Sequence, residues 1–404
     1  MLIKKYKQIS FANRVLIWMF IGSVLGLVIG EKAKIVAPVG DIFLKLLIMA
    51  AIPLVFFNLL AGLGSLGSTK NFGKIGLKII IYYLCSTAFA IALGLLVIGL
   101  LNAGEGMELT DSVPEDLGEM PNLSNVIINM VPTNIFKSFA EGELIQIVVF
   151  AILLGIVTLK LPTEQKDKFQ IAYDRLADLM RKLVEFILIA SPVGLGALMM
   201  ATFAEFGSRI IGPLTLFIVG IYLAQLLMVV LYMLVLRLIA KIPPFWFLRK
   251  TADLYATTVA TCSSLASLSV SMDIAEEKLK LPKSIFSFTL PIGAQFNKDG
   301  TAIMLSGILM FTAQAAGLEL SIPQLIQIIV VGLILSEGST GIPGGGLVVA
   351  MLFAKAFNLP LEIVAIVGGI YRLIDMGNTT VNCMGDLVAT SVIAKLEKQW
   401  NPEI

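Results

Sequence analysis

Three polar runs interrupt otherwise apolar sequence, and their side chains are of the kinds that hold small ions and zwitterions. The first is Asn297-Lys298-Asp299-Gly300-Thr301. The second is the glycine-rich run Glu337-Gly338-Ser339-Thr340-Gly341-Ile342-Pro343-Gly344-Gly345-Gly346. The third leads from Asp375 through Asn378, Thr379 and Asn382 to Asp386. Carboxylate, amide and hydroxyl oxygens are the ligands that hard cations prefer. A buried carboxylate also needs a cationic partner, which a substrate ammonium group would supply. Such groups are costly at membrane depth and are functional candidates there. Glycine and proline break helices, and lipid tolerates broken backbone only where it lines a protein cavity. Polar groups on discontinuous helices near the bilayer midplane point to a secondary transporter.

The surrounding sequence is that of a polytopic membrane protein. Of 404 residues, 57% are hydrophobic and only 14% charged, against about 25% charged in soluble domains. There is no histidine, which excludes histidine triads, histidine metal sites and histidine pH switches. No nucleophile elbow, metal motif or cofactor motif stands out, so the chain does not read as an enzyme. A net charge of +2 gives no reason to expect a nucleic-acid partner. Cys85, Cys262 and Cys383 lack the paired spacing of a disulfide framework or zinc site. Lys4, Lys5 and Lys7 precede the first apolar run. No small-residue cleavage site follows, so that run reads as a retained span.

A span needs about 20 apolar residues. Candidates lie near 15–30, 42–63, 79–101, 144–159, 183–203 and 211–238. Between the third and fourth, residues 102–134 carry acids but no lysine or arginine. Basic clusters sit before span one, between two and three (Lys74, Lys78), between four and five (Lys166, Lys168, Arg175) and after six (Arg249, Lys250). All fall on one side, which the positive-inside rule makes cytoplasmic. Beyond Lys250 the pattern changes. Residues 251–280 have a serine-rich centre, and 322–357 have Gly-Pro-Gly at theirs. These two broken segments read as re-entrant hairpins that meet at the midplane. The long segments 285–314 and 361–395 read as spans seven and eight. Both termini are then cytoplasmic, in a cell inner membrane.

At these residues the chain resembles the dicarboxylate/amino acid:cation symporter family, which includes glutamate transporters and neutral amino acid exchangers. The resemblance covers nearly the whole chain. It is carried by Tyr82-Tyr83 with Ser86-Thr87, by Gly142-Glu143-Leu144, by the serine-rich tip, by the Asn-x-Asp-Gly-Thr break, by Gly-Ile-Pro-Gly and by Asp375, Asn382 and Asp386. It implies an all-α fold of eight transmembrane helices and two re-entrant hairpins with inverted repeats, assembled as a homotrimer in lipid. It implies one membrane-embedded unit with a scaffold part, about 12–65 and 123–205. A transport part, about 75–102 and 211–398, would move like an elevator.

The resemblance also assigns roles. Asp375 matches the aspartate that holds a substrate amino group; the alternative is a structural pair with Arg372. Asn382 and Asp386, four apart and so on one helical face, match partners of the substrate α-carboxylate and of a sodium ion. Gly293 and Asn297 match further ligands of that ion; the alternative is a helix-packing amide network. Tyr83, Ser86, Thr87, Asn297 and Asp299 match a second sodium site, although a Ser/Thr pair on an apolar helix is also a packing device. Ser263, Ser264, Ile342 and Gly346 match main-chain substrate contacts. Thr301 and Thr379 match side-chain contacts. Ser336, Glu337 and Ser339, with Gln295 at its border, fall at a remaining sodium site.

Three departures bear on substrate and ion. Asn378 stands where carriers of acidic substrates have an arginine, and Cys262 where some have an alternative one. Both are uncharged, which favours a neutral amino acid. Arg372 is the possible substitute for an acidic side chain, although about 120° around the helix from Asn378. Lys298 stands where the family has methionine. Its ammonium, facing Glu337, would stand in for bound sodium; otherwise it pairs with Asp299 or snorkels. The expectation is a small amino acid carrier, neutral rather than acidic, with sodium as coupling ion and no other cofactor. An acidic amino acid or C4-dicarboxylate carrier, independent of sodium or proton-coupled, is the alternative.

Overall fold

A computed structural model of the chain describes residues 11–66, 72–105, 128, 130–336, 345–357 and 361–402. Glu337, Ser339 and Ile342 lie outside the described residues, as does most of the acidic stretch. Among the described residues the secondary structure is helical, with no strand.

The chain opens with α1 (Phe11–Ile29), a 3-10 turn over Gly30–Val36, and α2 (Ala37–Leu66). Then come α3 (Phe72–Leu101), the short α4 (Ile135–Glu141), α5 (Leu144–Leu159), α6 (Thr163–Leu188) and α7 (Ser191–Phe206). α8 (Ile211–Val235) ends in a π-turn, and α9 (Pro244–Lys250) follows. The site is built from α10 (Ala252–Thr261), α11 (Ser264–Asp273), α12 (Lys283–Phe296), α13 (Asp299–Ala315), α14 (Ile322–Ser336), α15 (Gly345–Ala356) and α16 (Leu361–Leu396).

Three stretches, Asn13–Leu63, Ile75–Leu101 and Ser191–Ala240, are long and apolar enough to cross a membrane. Gln146–Leu159 and Ile322–Leu333 are shorter apolar helices. The stretch expected to open a fifth span at 183 divides differently. Residues 183–188 finish α6, the chain turns at Ile189–Ala190, and α7 starts at Ser191 with Pro192 in its first turn. Proline is favoured there because the first-turn amides have no partner inside the helix. The last turn of α6 is as apolar as a span, so hydropathy alone misses the boundary.

α1 lies along α7, and α2 packs on α5, α6 and α7. α3 packs along α13 and α8. α16 touches α8, α10, α12, α13 and α15, so its central polar residues meet a neighbour on every side. α10 and α11 pack against each other across a tight reversal. Cys262 there adopts φ +50°, and Ser263 caps α11 by accepting from the Ala266 amide at 3.1 Å. A serine at this position satisfies one of the unpaired first-turn amides.

Candidate functional site

The break between α12 and α13 is fastened to α16. Asn297 leaves the helical region at φ −88°, ψ 109°, and Lys298 follows at φ −129°, ψ 37°. This frees the first-turn amides of α13. The Gly300 amide donates to Asn382 Oδ1 at 2.7 Å, and Asn382 Nδ2 reaches Thr301 Oγ1 at 3.3 Å. From the other side, Asn297 Nδ2 donates both to the Asn382 carbonyl and to Asp386 Oδ1, each at 2.9 Å. Asn297, Lys298, Asp299, Thr301, Asn378, Thr379, Asn382 and Asp386 are all buried. The close approach needs Gly293, whose Cβ would stand 2.4 Å from Asp386 Oδ1 and 2.5 Å from the Tyr83 hydroxyl.

Two carboxylates sit on either side of this break. Asp299 opens α13, where the positive end of the helix favours an acid. Thr87 donates to its Oδ1 at 2.8 Å and Tyr232 to its Oδ2 at 2.5 Å; Ser86 also reaches it. Asp386 accepts from Asn297 and lies in the field of the Lys298 ammonium. Lys298 is 1% exposed, and its Nζ donates to the Ala294 carbonyl in the last turn of α12. The donor set around Asp299 is all oxygen and fits a sodium ion. Asn297 Oδ1 adds a buried acceptor without a hydrogen-bond partner, as an ion ligand would be before an ion arrives. The set around Asp386 fits less well. The carbonyls of Gly293 and Asn382 and the Asp386 carboxylate already accept bonds from Asn297, and a cation is built in.

Two turns before Asn382 on α16, Asp375 lines a small cavity of about 50 Å³. Arg372, Tyr371 and Leu347 share its wall, with Phe43 and Leu195 opposite. Tyr371 donates to Asp375 Oδ1 at 2.9 Å and accepts from the Gly346 amide at 3.1 Å, so the start of α15 is tied to the carboxylate through one hydroxyl. Arg372 donates to the Ala260 carbonyl at 3.2 Å, which places its guanidinium between α10 and the cavity. Asn378 turns elsewhere. Its Oδ1 accepts from Gln225 at 2.8 Å and its Nδ2 points to Met304 Sδ. Ser264 is buried beside Cys383, and Thr258 joins Thr380 at 2.8 Å, so the α10–α11 tip rests on α16. Ser336 bonds back to the Leu333 carbonyl at the end of α14. Gln295 accepts from Asn58 of α2, which in turn accepts from Arg181 of α6.

Tyr232, Gln225 and Tyr371 belong to this network although their residue types did not single them out. Tyr371 had a signal, since it precedes Asp375 by one helical turn. Tyr232 and Gln225 lie in apolar α8, and their partners are distant in sequence. Tyr371→Phe removes the hydrogen bond to the Asp375 carboxylate, worth about 1.5–3 kcal/mol, and also the acceptor of the Gly346 amide. The melting temperature of the purified protein should fall by a few degrees, and an unchanged melting temperature would mean that the hydroxyl does not tie α15 to α16.

The chain is similar to a family of known proteins. The sequence profile of the sodium:dicarboxylate symporter family matches residues 11–396. A proton/glutamate-aspartate symporter of Bacillus subtilis (strain 168) is 31% identical over 403 residues, 98% of this chain and 96% of that protein. A proton/sodium-glutamate symport protein of Bacillus caldotenax is 31% identical over 400 residues, covering 95% and 94%. A C4-dicarboxylate transport protein of Bacillus subtilis (strain 168) is 31% identical over 409 residues, covering 98% and 96%. These relatives are membrane transporters, not enzymes. A family profile that matches residues 11–396 almost end to end, and relatives about 31% identical over nearly their whole length, place this chain in the sodium:dicarboxylate symporter family.

Proposed function

We propose that the chain is a cation-coupled carrier of a small amino acid. The observation that carries this reading is the pairing of Asp375 with Tyr371 on the wall of the cavity. A fixed carboxylate attracts a substrate ammonium and repels a ligand that has only carboxylates, so it favours an amino acid over a C4-dicarboxylate. Asn382 reaches Thr301 at 3.3 Å, and Thr379 is buried one turn before Asn382 on α16; these three would serve the α-carboxylate. Cys262 and Asn378 are uncharged, and Asn378 is held by Gln225, which favours a neutral side chain. A second reading, an acidic amino acid, is supported by Arg372, whose guanidinium shares the cavity wall with Asp375. Relatives named for glutamate and aspartate also support it.

The transport part, about 75–102 and 211–398, would carry the site across while the scaffold, about 12–65 and 123–205, stays fixed in a homotrimer within lipid. Eight spans, two re-entrant hairpins and cytoplasmic termini complete this reading. Sodium is the coupling ion we favour, from the oxygen set around Asp299 and from the family description. Uptake into proteoliposomes tests the function. Saturable accumulation of radiolabelled serine or alanine, with counterflow by unlabelled substrate, is expected. Uptake of succinate that serine does not compete for would sink the amino acid reading.

A further inference from the structure

Among the described residues the fully buried charged side chains are three carboxylates, Asp299, Asp375 and Asp386, and one ammonium, Lys298. Each buried carboxylate needs a positive partner. Asp375 lines a cavity together with Arg372, where a substrate amine would meet it. The partners described for Asp299 are the hydroxyls of Thr87, Tyr232 and Ser86, which stabilise a negative charge without cancelling it. Asp386 differs: its Oδ1 packs against Gly293, where a Cβ would stand 2.4 Å away, and Lys298 bonds the next carbonyl, that of Ala294, so the ammonium lies in the field of this acid. Geometry gives that charge a fixed seat. Lys298 lies at the break, and its four-carbon stem runs back over the last turn of α12. Its Nζ donates to the Ala294 carbonyl, at the negative end of that helix. Carbonyl and carboxylate together are the surroundings a bound monovalent cation would seek, and the chain fills them with its own.

We infer that Lys298 is a built-in cation that takes the place of one coupling ion at Asp386, so that Asp299 is the remaining entry point for sodium. The inference rests on reading the chain as a cation-coupled carrier. Two of its three carboxylates are then balanced by the chain or by substrate, and one is left for an external ion. Fewer ions cross per substrate than in a relative without the lysine. The ammonium is tethered, so salt cannot wash it out, and the Asp386 corner keeps its shape without sodium.

The test is the melting temperature of purified full-length protein without substrate, in sodium chloride and in choline chloride. Because substrate is omitted, an error in the substrate assignment leaves the result untouched; failure of the cation-coupled reading would appear as no sodium shift in any variant, Lys298→Met included. Unmodified protein should show a single saturable sodium shift. Lys298→Met should melt lower in choline. Its sodium shift should be at least about twice as large, because a second ion now stabilises the state it binds. Lys298→Met combined with Asp386→Asn, which removes both charges, should return the choline melting temperature and the sodium shift to those of unmodified protein. Equal sodium shifts for Lys298→Met and unmodified protein would overturn the inference. So would rescue by Glu337→Gln in place of Asp386→Asn, since the ammonium would then serve a different acid. If Lys298→Met does not fold, Asp386→Asn alone decides. It should lower stability equally in both buffers; loss of the sodium shift in that variant would show an ion at Asp386 beside the lysine.

Discussion

Asp375→Asn should abolish amino acid binding while leaving the fold in place. The carboxylate is 5% exposed and is oriented by the Tyr371 hydroxyl. Asparagine keeps the shape and one acceptor, so Tyr371 still has a partner and packing changes little. What disappears is the charge that, on the proposed function, would meet a substrate ammonium. Truncating one side of a buried hydrogen-bonded charge pair costs about 2–5 kcal/mol, and the middle of that range is a loss of affinity of more than about 100-fold. Calorimetry should show no heat of binding at ligand concentrations that saturate the unmodified protein. A melting temperature close to that of the unmodified protein would separate this from misfolding. If binding survived within about threefold, Asp375 would be a structural partner of Arg372 and the amine site would lie elsewhere.

The second large effect is on stability. Gly300→Ala would place a Cβ 2.4 Å from the Asn378 carbonyl oxygen and 2.6 Å from the Asn378 Cα. Both are backbone atoms of α16, so no side chain can swing aside. α13 and α16 would have to separate, which would stretch the Gly300 to Asn382 bond and disturb the Thr301 contact. Overpacking of this kind costs about 1–3 kcal/mol or more. Gly99→Ala is the control, since its Cβ would find only the flexible end of Met310, at 3.5 Å. Gly300→Ala should melt several degrees lower and lose substrate affinity, whereas Gly99→Ala should do neither. Equal melting of the two would mean that the α13–α16 contact is looser than the distances indicate.

How far the sequence foretold this arrangement depends on the kind of interaction. Asp375, Thr379, Asn382 and Asp386 follow helical spacing, so their common face could be read directly. The break at Asn297 and Lys298 was also readable, because polar residues and glycine interrupt an apolar run. Packing between distant elements was not. Asn378 falls on the polar segment of α16 by number, yet its amide turns to Gln225, 153 residues away. Arg372 appeared poorly aimed when measured against Asn378, but the relevant neighbour is Asp375, three residues on, and these two share the cavity. Tyr232 looks like one more apolar residue of α8 until its hydroxyl is seen on Asp299. Lys298 was the reverse case, conspicuous by type but with its partner open. The structure aims its ammonium at the Ala294 carbonyl, in the field of Asp386.

The central claim is that the cavity at Asp375 recognises an amino acid, with sodium entering at Asp299. The most direct measurement is thermal stabilisation of the purified protein by serine, alanine, aspartate, glutamate and succinate, each in sodium and in choline. A ligand that binds the folded state raises its melting temperature by mass action. The account predicts stabilisation by a neutral amino acid, larger in sodium than in choline, and none by succinate. Stabilisation by succinate alone, equal in both buffers, would contradict it.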